Sequence, residues 1–329
     1  MVRFGFIGTN WITDSFIDAA QQINEFKATA VYSRTEEKAN QFADKRGIAA
    51  TYTNLETFAN SEEIDAVYIA SPNAFHAEQA MLCMKSGKHV IVEKAMASNA
   101  AEVKEMIQTA KENNVLLMEA IKTTHMPNFE VIRANLDKIG TVRRYFASYC
   151  QYSSRYDAYK QGTVLNAFKP ELSNGSLMDI GIYCIFPMIS LFGKPTDLKA
   201  NSYMLDSGVD GQGSILFDYA DQGINGMVMY SKISNSYVAS EIQGEKGSII
   251  MDNISQPQHV EIKYNDGTTE NLSQEQKANT MYYEAKHFIE LIENNRTESD
   301  VNTYKNSLIT AEVLEEARKQ FGLVFPADQ

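Results

Sequence analysis

The sequence predicts an α/β protein in two parts: a doubly wound parallel sheet, followed by an α+β region with a large, open and mostly antiparallel sheet. Two observations support this prediction. Over the first 120 residues, short apolar runs alternate with amphipathic helical segments. Beyond Pro127, strand-like runs follow one another with little helix between them. The length of 329 residues suits two domains, which we expect at residues 1–122 and 123–329.

The N-terminal part is predicted from five apolar runs separated by segments with helical spacing. In the first such segment, Ile12, Phe16 and Ala20 recur on one helix face. Apolar runs without alternation are typical of strands buried on both faces, as in a parallel sheet that helices cover on both sides. The runs cover residues 2–8, 28–33, 66–70, 89–93 and 115–120.

The C-terminal part predicts consecutive strands, because its apolar runs are joined by turn-forming pairs such as Asp210-Gly211 and Asp266-Gly267. Short links between neighbouring strands are typical of antiparallel pairing. The strand-like runs cover residues 142–151, 197–204, 214–219, 226–231, 237–243, 248–251 and 259–264. Helical segments cover residues 176–192, 274–294 and 303–321.

Charge and cysteine content exclude several classes of protein. The formal net charge of −12 argues against nucleic acid and anionic membranes, which select basic surfaces. Cys83, Cys150 and Cys184 show neither a disulfide framework nor metal-ligand spacing. There is no signal-peptide layout and no apolar run of the roughly 18 residues that a membrane span needs. We therefore expect a cytoplasmic protein with no metal site and no nucleic-acid or membrane partner.

The turn after the first apolar run has features of a phosphate-binding loop. Gly8 can make the tight turn, and the next residues open a helix with free N–H groups. Where the usual pattern repeats glycine, the chain has Asn10, which tolerates a positive φ, and the small Thr13. An ordinary strand-to-helix turn is the alternative, but the position at the first strand of a βαβ pattern favours a dinucleotide site. The candidate cofactor residues are Gly8, Thr9, Asn10, Trp11 and Ile12.

The end of the second apolar run favours NADP over NAD. NAD sites usually carry Asp or Glu here to hold the ribose hydroxyl, whereas this chain has Ser33 and Arg34, with Lys38 one turn further on. An arginine fork pairs well with phosphate. The alternative is a solvated basic pair, because Glu36 and Glu37 lie beside it.

Two further loops follow apolar runs, where strand ends of a parallel sheet face the ligand crevice. The first of these loops follows the run 66–70 and the second follows the run 89–93. The second loop contains Glu93-Lys94, and a buried lysine there could hydrogen-bond a substrate hydroxyl. The alternative for Lys94 alone is a surface lysine on a loop. His76, in the first loop, is more typical of a helix-start or packing residue than of a catalyst. The candidate cofactor residues of the first loop are Ser71, Pro72, Asn73 and His76.

Asp179 and Tyr183 lie four residues apart in a predicted helix and therefore share one face. A tyrosine next to a lysine can donate and accept the proton when a hydroxyl becomes a carbonyl. The alternative is a tyrosine packed in a core helix among Ile182, Ile185 and Phe186, which the pair taken alone favours.

Taken in order, these motifs resemble the Gfo/Idh/MocA oxidoreductases over nearly the whole chain. The stretch 177–184 is most similar to the dimeric dihydrodiol dehydrogenase branch, which uses NADP. The resemblance implies a Rossmann domain, and an α+β domain whose open sheet commonly forms a dimer face. We therefore expect a homodimer, or a dimer of dimers. The most specific motifs are Ser71-Pro72-Asn73 with His76, Glu93-Lys94, Glu119-Ala120, and Asp179 with Tyr183.

The resemblance also implies roles for the site residues. Lys94 would contact both the nicotinamide ribose and the substrate. Tyr183 would be the acid/base, and Asp179 would orient the substrate. The remaining residues would line the cofactor: 71–73, Glu93 and, near its nicotinamide end, Glu119.

Three departures from the family pattern bear on function. Ala95 stands where the family usually has a proline, often with a cis bond, and Asn10 replaces a glycine. The family often has an arginine after Glu119-Ala120, where this chain has Lys122, Thr123, Thr124 and His125. The leading hypothesis is an NADP-dependent dehydrogenase or reductase acting at a secondary hydroxyl or carbonyl of a sugar, polyol or trans-dihydrodiol. One alternative is a catalytically silent dinucleotide sensor, which would not need Lys94, Asp179 and Tyr183 together. Another is a reductase of a non-sugar carbonyl.

Overall fold

The computed structural model describes every residue from Met1 to Gln329, and the chain forms two compact units. The first unit consists of Met1–Ala120 and Lys277–Leu308, and the second of Ile121–Gln276 and Ile309–Gln329. The sequence suggests a single boundary at residue 122. That division does not assign Lys277–Leu308 to the first unit. An amphipathic helix does not reveal from its own pattern which sheet it covers, so the return of the chain to the first unit is not visible in the sequence.

The chain contains fourteen strands and ten α-helices. The strands are β1 (Val2–Ile7), β2 (Phe26–Tyr32), β3 (Ala50–Tyr52), β4 (Ala66–Ile69), β5 (His89–Glu93), β6 (Leu117–Ala120), β7 (Val142–Cys150), β8 (Asp197–Met204), β9 (Asp210–Tyr219), β10 (Ile224–Ser231), β11 (Ser240–Gly244), β12 (Gly247–Met251), β13 (Val260–Tyr264) and β14 (Thr269–Asn271). The helices are α1 (Trp11–Ala20), α2 (Glu36–Arg46), α3 (Leu55–Ala59), α4 (His76–Lys85), α5 (Ala100–Glu112), α6 (Pro127–Ala134), α7 (Ser154–Lys160), α8 (Ile182–Phe192), α9 (Met281–Glu293) and α10 (Tyr304–Phe321). A π-helical turn, Leu177–Gly181, directly precedes α8.

The first unit is built on a six-stranded parallel sheet in the order β3-β2-β1-β4-β5-β6. The order reverses between β1 and β4, so the loops after these two strands flank the crevice in which such sheets bind ligands. The predicted doubly wound sheet is therefore confirmed. The sequence pattern does not predict β3 or α3, since segments of 3 and 5 residues are too short to show a period.

Aromatic side chains form the core of the first unit. The Phe4 ring lies 6.1 Å from that of Phe16 and 6.0 Å from that of Phe288, measured between ring centroids. Phe16 stacks on Tyr68 at 4.0 Å. All four rings are fully buried, and burying such a side chain contributes about 1.5–3 kcal/mol. Because Phe288 lies on α9, that helix belongs to the core of the first unit.

The second unit contains an eight-stranded sheet in the order β14-β13-β12-β11-β7-β10-β9-β8. Neighbouring strands are antiparallel except β7 and β10, which pair in parallel. The predicted open, mostly antiparallel sheet is therefore confirmed. Helix α8 packs on one face of this sheet, where the Tyr145 hydroxyl donates to the Cys184 carbonyl oxygen at 2.9 Å. Large apolar side chains such as Leu216 are exposed.

The helical run 170–192 is a candidate membrane span by length and composition alone, whereas the sequence pattern predicts none. In the fold, 72% of its most apolar window is buried inside the protein, which is the environment of a core helix. No group of His, Cys, Asp and Glu side chains in the chain is arranged to hold a metal ion.

Candidate active site

The turn between β1 and α1 depends on Gly8. This residue has a φ of +107°, and a Cβ atom there would lie 2.7 Å from the carbonyl oxygen of Ala70. Both facts require glycine. The backbone of the turn can therefore come closer to the end of β4 than any other residue would allow.

Asn10 is the N-cap of α1. Its Oδ1 accepts the N–H groups of Ile12 at 2.9 Å and Thr13 at 3.3 Å. Its Nδ2 donates to the Ala70 carbonyl oxygen at 2.8 Å, which ties the turn to the end of β4. The φ of Asn10 is −99°, in the extended region. The tolerance of asparagine for a positive φ is therefore not the reason it stands here, and its hydrogen bonds are. Of the neighbouring candidates, Thr9 and Ile12 are half-buried and Trp11 is 67% exposed.

The predicted phosphate reader lies at the carboxyl end of β2. Ser33 is half-buried, and Arg34 and Lys38 are exposed. Neither cation forms an ion pair with Glu36 or Glu37, the neighbours that the alternative interpretation invokes. Both positive charges are consequently available to an anion at this edge of the sheet.

His76 joins the loop after β4 to the loop after β5. Its ring is fully buried, with Nε2 lying 2.8 Å from the Ser71 carbonyl oxygen and Nδ1 3.0 Å from that of Ala95. Burial lowers the pKa of the ring to about 4, outweighing the carbonyl contacts that favour its protonated form. A buried ring held on both sides by main chain supports the two loops.

The rest of the first loop surrounds this histidine. Ser71 and Pro72 are half-buried, while Asn73 is buried at the start of a short 3₁₀ turn. The Ser71 hydroxyl donates to Gln79 Oε1 on α4 at 2.6 Å, which anchors the loop to the helix.

Glu93 is the last residue of β5 and Lys94 follows it. The peptide bond between Lys94 and Ala95 is cis. The family feature is thus present without the proline. Glu93 is buried, and its Oε1 accepts the Tyr68 hydroxyl at 2.6 Å. Lys94 is half-buried and therefore differs from an ordinary surface lysine on a loop.

Glu119, at the end of β6, supports the same loop. Its side chain is 2% exposed, and Oε1 accepts the Met96 N–H at 2.9 Å. The main-chain carbonyl oxygen of Glu119 accepts a hydrogen bond from Asn302 Nδ2 at 2.9 Å. Burial raises the pKa of Glu119 to about 7, against the lowering effect of hydrogen bonds from Ser307 and Met96.

The second unit carries Asp179 and Tyr183 on consecutive turns. Asp179 lies in the π-helical turn and Tyr183 in the first turn of α8. Both are half-buried, so Tyr183 is not simply packed in the core as the alternative supposes. The Tyr183 ring lies 5.8 Å from that of Tyr149 on β7 in an edge-on arrangement. Asp179 forms an ion pair with Lys232. The sequence motifs did not predict a role for Lys232.

A buried carboxyl group holds the start of this π-helical turn. Asp210 is fully buried at the beginning of β9, and its Oδ2 accepts the Leu177 N–H at 2.7 Å. Burial raises the pKa of Asp210 to about 6, although the hydrogen bond from Leu177 lowers it. An acidic side chain at a helix start is stabilised by the free N–H groups there. Asp210 therefore fixes the turn that carries Asp179.

Comparison with known families agrees with this architecture. The family model described as "Oxidoreductase family, NAD-binding Rossmann fold" matches residues 2–121. The model of the GFO/IDH/MocA C-terminal domain matches residues 132–250. The chain belongs to the Gfo/Idh/MocA oxidoreductase family. It is an NAD(P)-dependent oxidoreductase, as the motifs indicate, and the sensor alternative is set aside.

This oxidoreductase aligns with curated relatives from end to end. It is 57% identical over 329 residues to the scyllo-inositol 2-dehydrogenase (NADP(+)) IolU of Bacillus subtilis, covering 100% of both chains. It is 30% identical to the trans-1,2-dihydrobenzene-1,2-diol dehydrogenase of Mus musculus, covering 100% of this chain and 99% of the relative. Among solved structures, the 3-ketoreductase KijD10 of Actinomadura kijaniata, in complex with NADP and TDP-benzene, has the same fold. The TM-score is 0.85 at 22% identity, covering 97% of this chain and 98% of that one.

Proposed function

We propose that this oxidoreductase is an NADP-dependent dehydrogenase of cyclic polyols, which oxidises one secondary hydroxyl group of scyllo-inositol or a close stereoisomer. The observation that carries the proposal is the end-to-end likeness to the Bacillus subtilis enzyme, whose name gives both substrate and cofactor. The half-buried Lys94, Asp179 and Tyr183 suit the proposal, because hydroxyl oxidation needs a proton acceptor and polar groups that orient the substrate.

The residues of the first unit fit a dinucleotide. The N-terminus of α1 suits a pyrophosphate, because its dipole favours negative charge and Gly8 leaves the backbone open to close approach. Arg34 and Lys38 supply positive charge where the 2′-phosphate of NADP requires it. We propose that these residues bind the cofactor together with Thr9, Asn10, Trp11, Ile12, Ser33, the loop 71–73, Glu93 and Lys94. Glu119 and His76 act through the loops that they hold.

Each proposed catalytic residue has a separate task in the chemistry. As the substrate hydroxyl becomes a carbonyl, Tyr183 accepts its proton on the phenolate oxygen, and in the reverse direction the phenol returns that proton. Lys94 donates a hydrogen bond to the same oxygen and stabilises the negative charge that develops on it. Asp179 accepts a hydrogen bond from a neighbouring hydroxyl and so orients the ring. A bound nicotinamide would supply the acceptor for the hydride of the carbinol carbon.

Turnover of scyllo-inositol with NADP⁺, followed by NADPH absorbance, tests the activity. We expect Tyr183→Phe to lower kcat by about 10²- to 10⁴-fold while NADPH binding is retained. Tyr219→Phe is the matched control. It removes a largely buried hydroxyl of the same unit, which donates to the Gly193 carbonyl oxygen at 3.1 Å. No turnover of scyllo-inositol or any other inositol by the wild type would refute the polyol assignment. Full activity of Tyr183→Phe would refute the acid/base role.

Cofactor choice is tested by titrating NADPH and NADH against the fluorescence of Trp11, the chain's one tryptophan, with calorimetry as a second readout. We expect tight NADPH and weak NADH binding in the wild type. Arg34→Ala should weaken NADPH binding by about 1.5–3 kcal/mol, the range for a hydrogen bond to a charged group, and leave NADH binding unchanged. An equal loss for both cofactors would mean that Arg34 does not read the 2′-phosphate.

We further propose that two copies pair through the outer face of the eight-stranded sheet. Leu216 lies opposite Met227, and Met227 lies opposite Phe146 across three adjacent strands. Leu216 is 55% exposed and Met227 38% exposed. Lys199 and Glu241 extend this row on its two sides, so the face offers charges of both signs around an apolar centre. An exposed face with an apolar centre and mixed charges around it suits a self-complementary contact between two copies.

We propose that the protein works in the cytoplasm with a small-molecule substrate. Its three cysteines are unpaired, which suits a reducing compartment. The net charge of −12 disfavours nucleic acid and anionic membranes as partners.

A further inference from the structure

Lys232 is a buried cation directly after β10, and its partner is the proposed substrate-orienting carboxylate. The side chain of Lys232 is 5% exposed and forms an ion pair with Asp179. A buried lysine is rare unless it is paired, because an uncompensated charge in the interior is strongly unfavourable. The pairing with Asp179 therefore compensates the buried charge of Lys232 within the second unit.

The main chain fixes the position of this lysine on both sides. The Lys232 N–H donates to the Gly211 carbonyl oxygen at 2.9 Å, and the Lys232 carbonyl oxygen accepts the Ser153 N–H at 2.9 Å. Its ammonium group lies 5.8 Å from the centre of the buried Phe168 ring. A cation over an aromatic face is attracted to it. The ammonium group is consequently held in one place.

The two partners differ in their exposure to solvent. The Asp179 side chain is 27% exposed, against 5% for Lys232. The lysine thus holds the carboxylate from the protein side, while the carboxylate remains accessible from outside. A carboxylate that has to meet a ligand needs exposure of this kind.

Resting on the proposed function, we propose that Lys232 is a positioning residue, which keeps Asp179 ionised and aimed so that its carboxylate accepts a hydrogen bond from a substrate hydroxyl beside the reacting carbon. A protonated Asp179 could donate but would accept poorly. The nearby cation favours the carboxylate form over the acid. The substrate class that this selects is a polyol with a free hydroxyl group next to the one that is oxidised.

Other ionisable groups lie on the elements that pack against the π-helical turn. A second buried carboxyl group, Asp210, is close enough to Lys232 for their charges to interact. The same elements also carry two arginines at the start of β7, one carboxyl group near the end of β9, and several phenols and thiols. They are Arg143, Arg144, Tyr145, Tyr149 and Cys150 on β7, Tyr183 and Cys184 on α8, Asp218 and Tyr219 on β9, and Tyr230 on β10. Among these charged groups, Lys232 is one that forms an ion pair with Asp179.

The experiment compares Lys232→Met and Lys232→Arg with the wild type in the pH dependence of kcat/KM for the polyol. In Lys232→Met the acid limb should move up by about one pH unit or more, so that the loss grows as the pH falls, approaches about tenfold or more on the acid limb itself, and is small at neutral pH and above. Lys232→Arg should restore most of the profile because it keeps the charge. In the Asp179→Asn background, Lys232→Met should have little further effect. A pH-independent loss, or a loss of the same size in that background, would show a merely structural role.

Arg318→Met is the matched control. It breaks another buried ion pair of the second unit, between Arg318 and Asp328 at 2.5 Å, and should lower stability without moving the acid limb. An equal movement of the acid limb in this control would overturn the proposal.

A readout independent of activity separates this proposal from the proposed function. Carboxyl ¹³C resonances of labelled wild-type protein are titrated, with the Asp179 signal assigned by its absence in Asp179→Asn. We expect Asp179 to remain ionised below the pH at which ordinary aspartates titrate, and to lose this property in Lys232→Met. A wild-type Asp179 that titrates like an ordinary aspartate, or higher, refutes the role of Lys232 even if Lys232→Met does not fold. If the measured pKa of Asp179 is below that of ordinary aspartates but no polyol is oxidised, the proposed function is wrong. The effect of Lys232 on Asp179 is then still supported.

Discussion

Glu119 combines an unfavourable burial with a useful hydrogen bond. Its carboxylate accepts the Met96 N–H two residues beyond Lys94, and burial raises its pKa to about 7. Between the unfolded pKa, ordinarily near 4.5, and about 7, the folded protein retains a proton that the unfolded chain has lost. Stability from this group is therefore complete below the unfolded pKa and falls by about 1.4 kcal/mol per pH unit as the pH rises through this window.

Glu119→Gln should remove this dependence, because the amide oxygen can still accept the Met96 N–H and carries no charge. We expect the variant to gain stability relative to the wild type between pH 5 and pH 8, in total by roughly 3 kcal/mol, measured by urea denaturation at each pH. His76 contributes in the opposite direction. Because its pKa is lower in the folded protein than in the unfolded chain, stability from this group rises with pH until the pKa of the unfolded chain is reached. Both proteins share this contribution, so comparing them at the same pH removes it. Glu105→Gln, on the exposed face of α5, is the control. Parallel stability curves for Glu119→Gln and the wild type would contradict the prediction.

At the scale of one element, Asn10 has two separable tasks at the start of α1: it caps the helix and ties the turn to Ala70. Asn10→Ala loses both and should cost about 1–2 kcal/mol of unfolding free energy, together with a weaker affinity for NADPH. Asn10→Asp keeps the capping oxygen and should lose mainly the Ala70 contact. Denaturation and NADPH titration on the same samples measure the two effects.

The control for Asn10 is Asn54, the N-cap of α3, whose Oδ1 accepts the Thr57 N–H at 2.8 Å. Asn54→Ala should lower stability by a similar amount and leave NADPH affinity unchanged. If both variants weaken NADPH binding equally, the effect is one of general stability and Asn10 has no special place at the cofactor.

Periodicity in the sequence suffices for elements with long apolar patterns. Strand β8 occupies residues 197–204, as predicted. Periodicity does not predict α7, because this helix has no buried residue and therefore no apolar stripe. The same contrast holds in the candidate site. Loops that follow buried strands are predictable, because parallel strand ends meet at one edge of a sheet.

Residues joined only by the tertiary fold escape prediction. Lys232 and Asp179 are 53 positions apart, and Leu177 and Asp210 are 33 apart. Nothing local in the sequence connects these pairs, and only the sheet brings β9 and β10 to the π-helical turn. A lysine directly after an apolar strand is a weak signal, since most lysines in such places are solvated. The structure was needed to show that Lys232 is buried.

At the scale of the whole molecule, we propose that the outer face of the eight-stranded sheet determines the oligomeric state. A stable pair of copies needs about 800 Å² of contact per partner, which a sheet of this width can supply. Introducing charge at its apolar centre with Leu216→Asp and Met227→Asp puts two carboxylates of each copy against those of the other. Sedimentation velocity should therefore show the wild type as a dimer, or a dimer of dimers, and the double variant as a smaller species. Val324→Asp, at a 53% exposed apolar residue in the C-terminal segment beyond α10, is the control and should leave the assembly intact. A monomeric wild type would refute the pairing, and an unchanged double variant would move the interface to another surface.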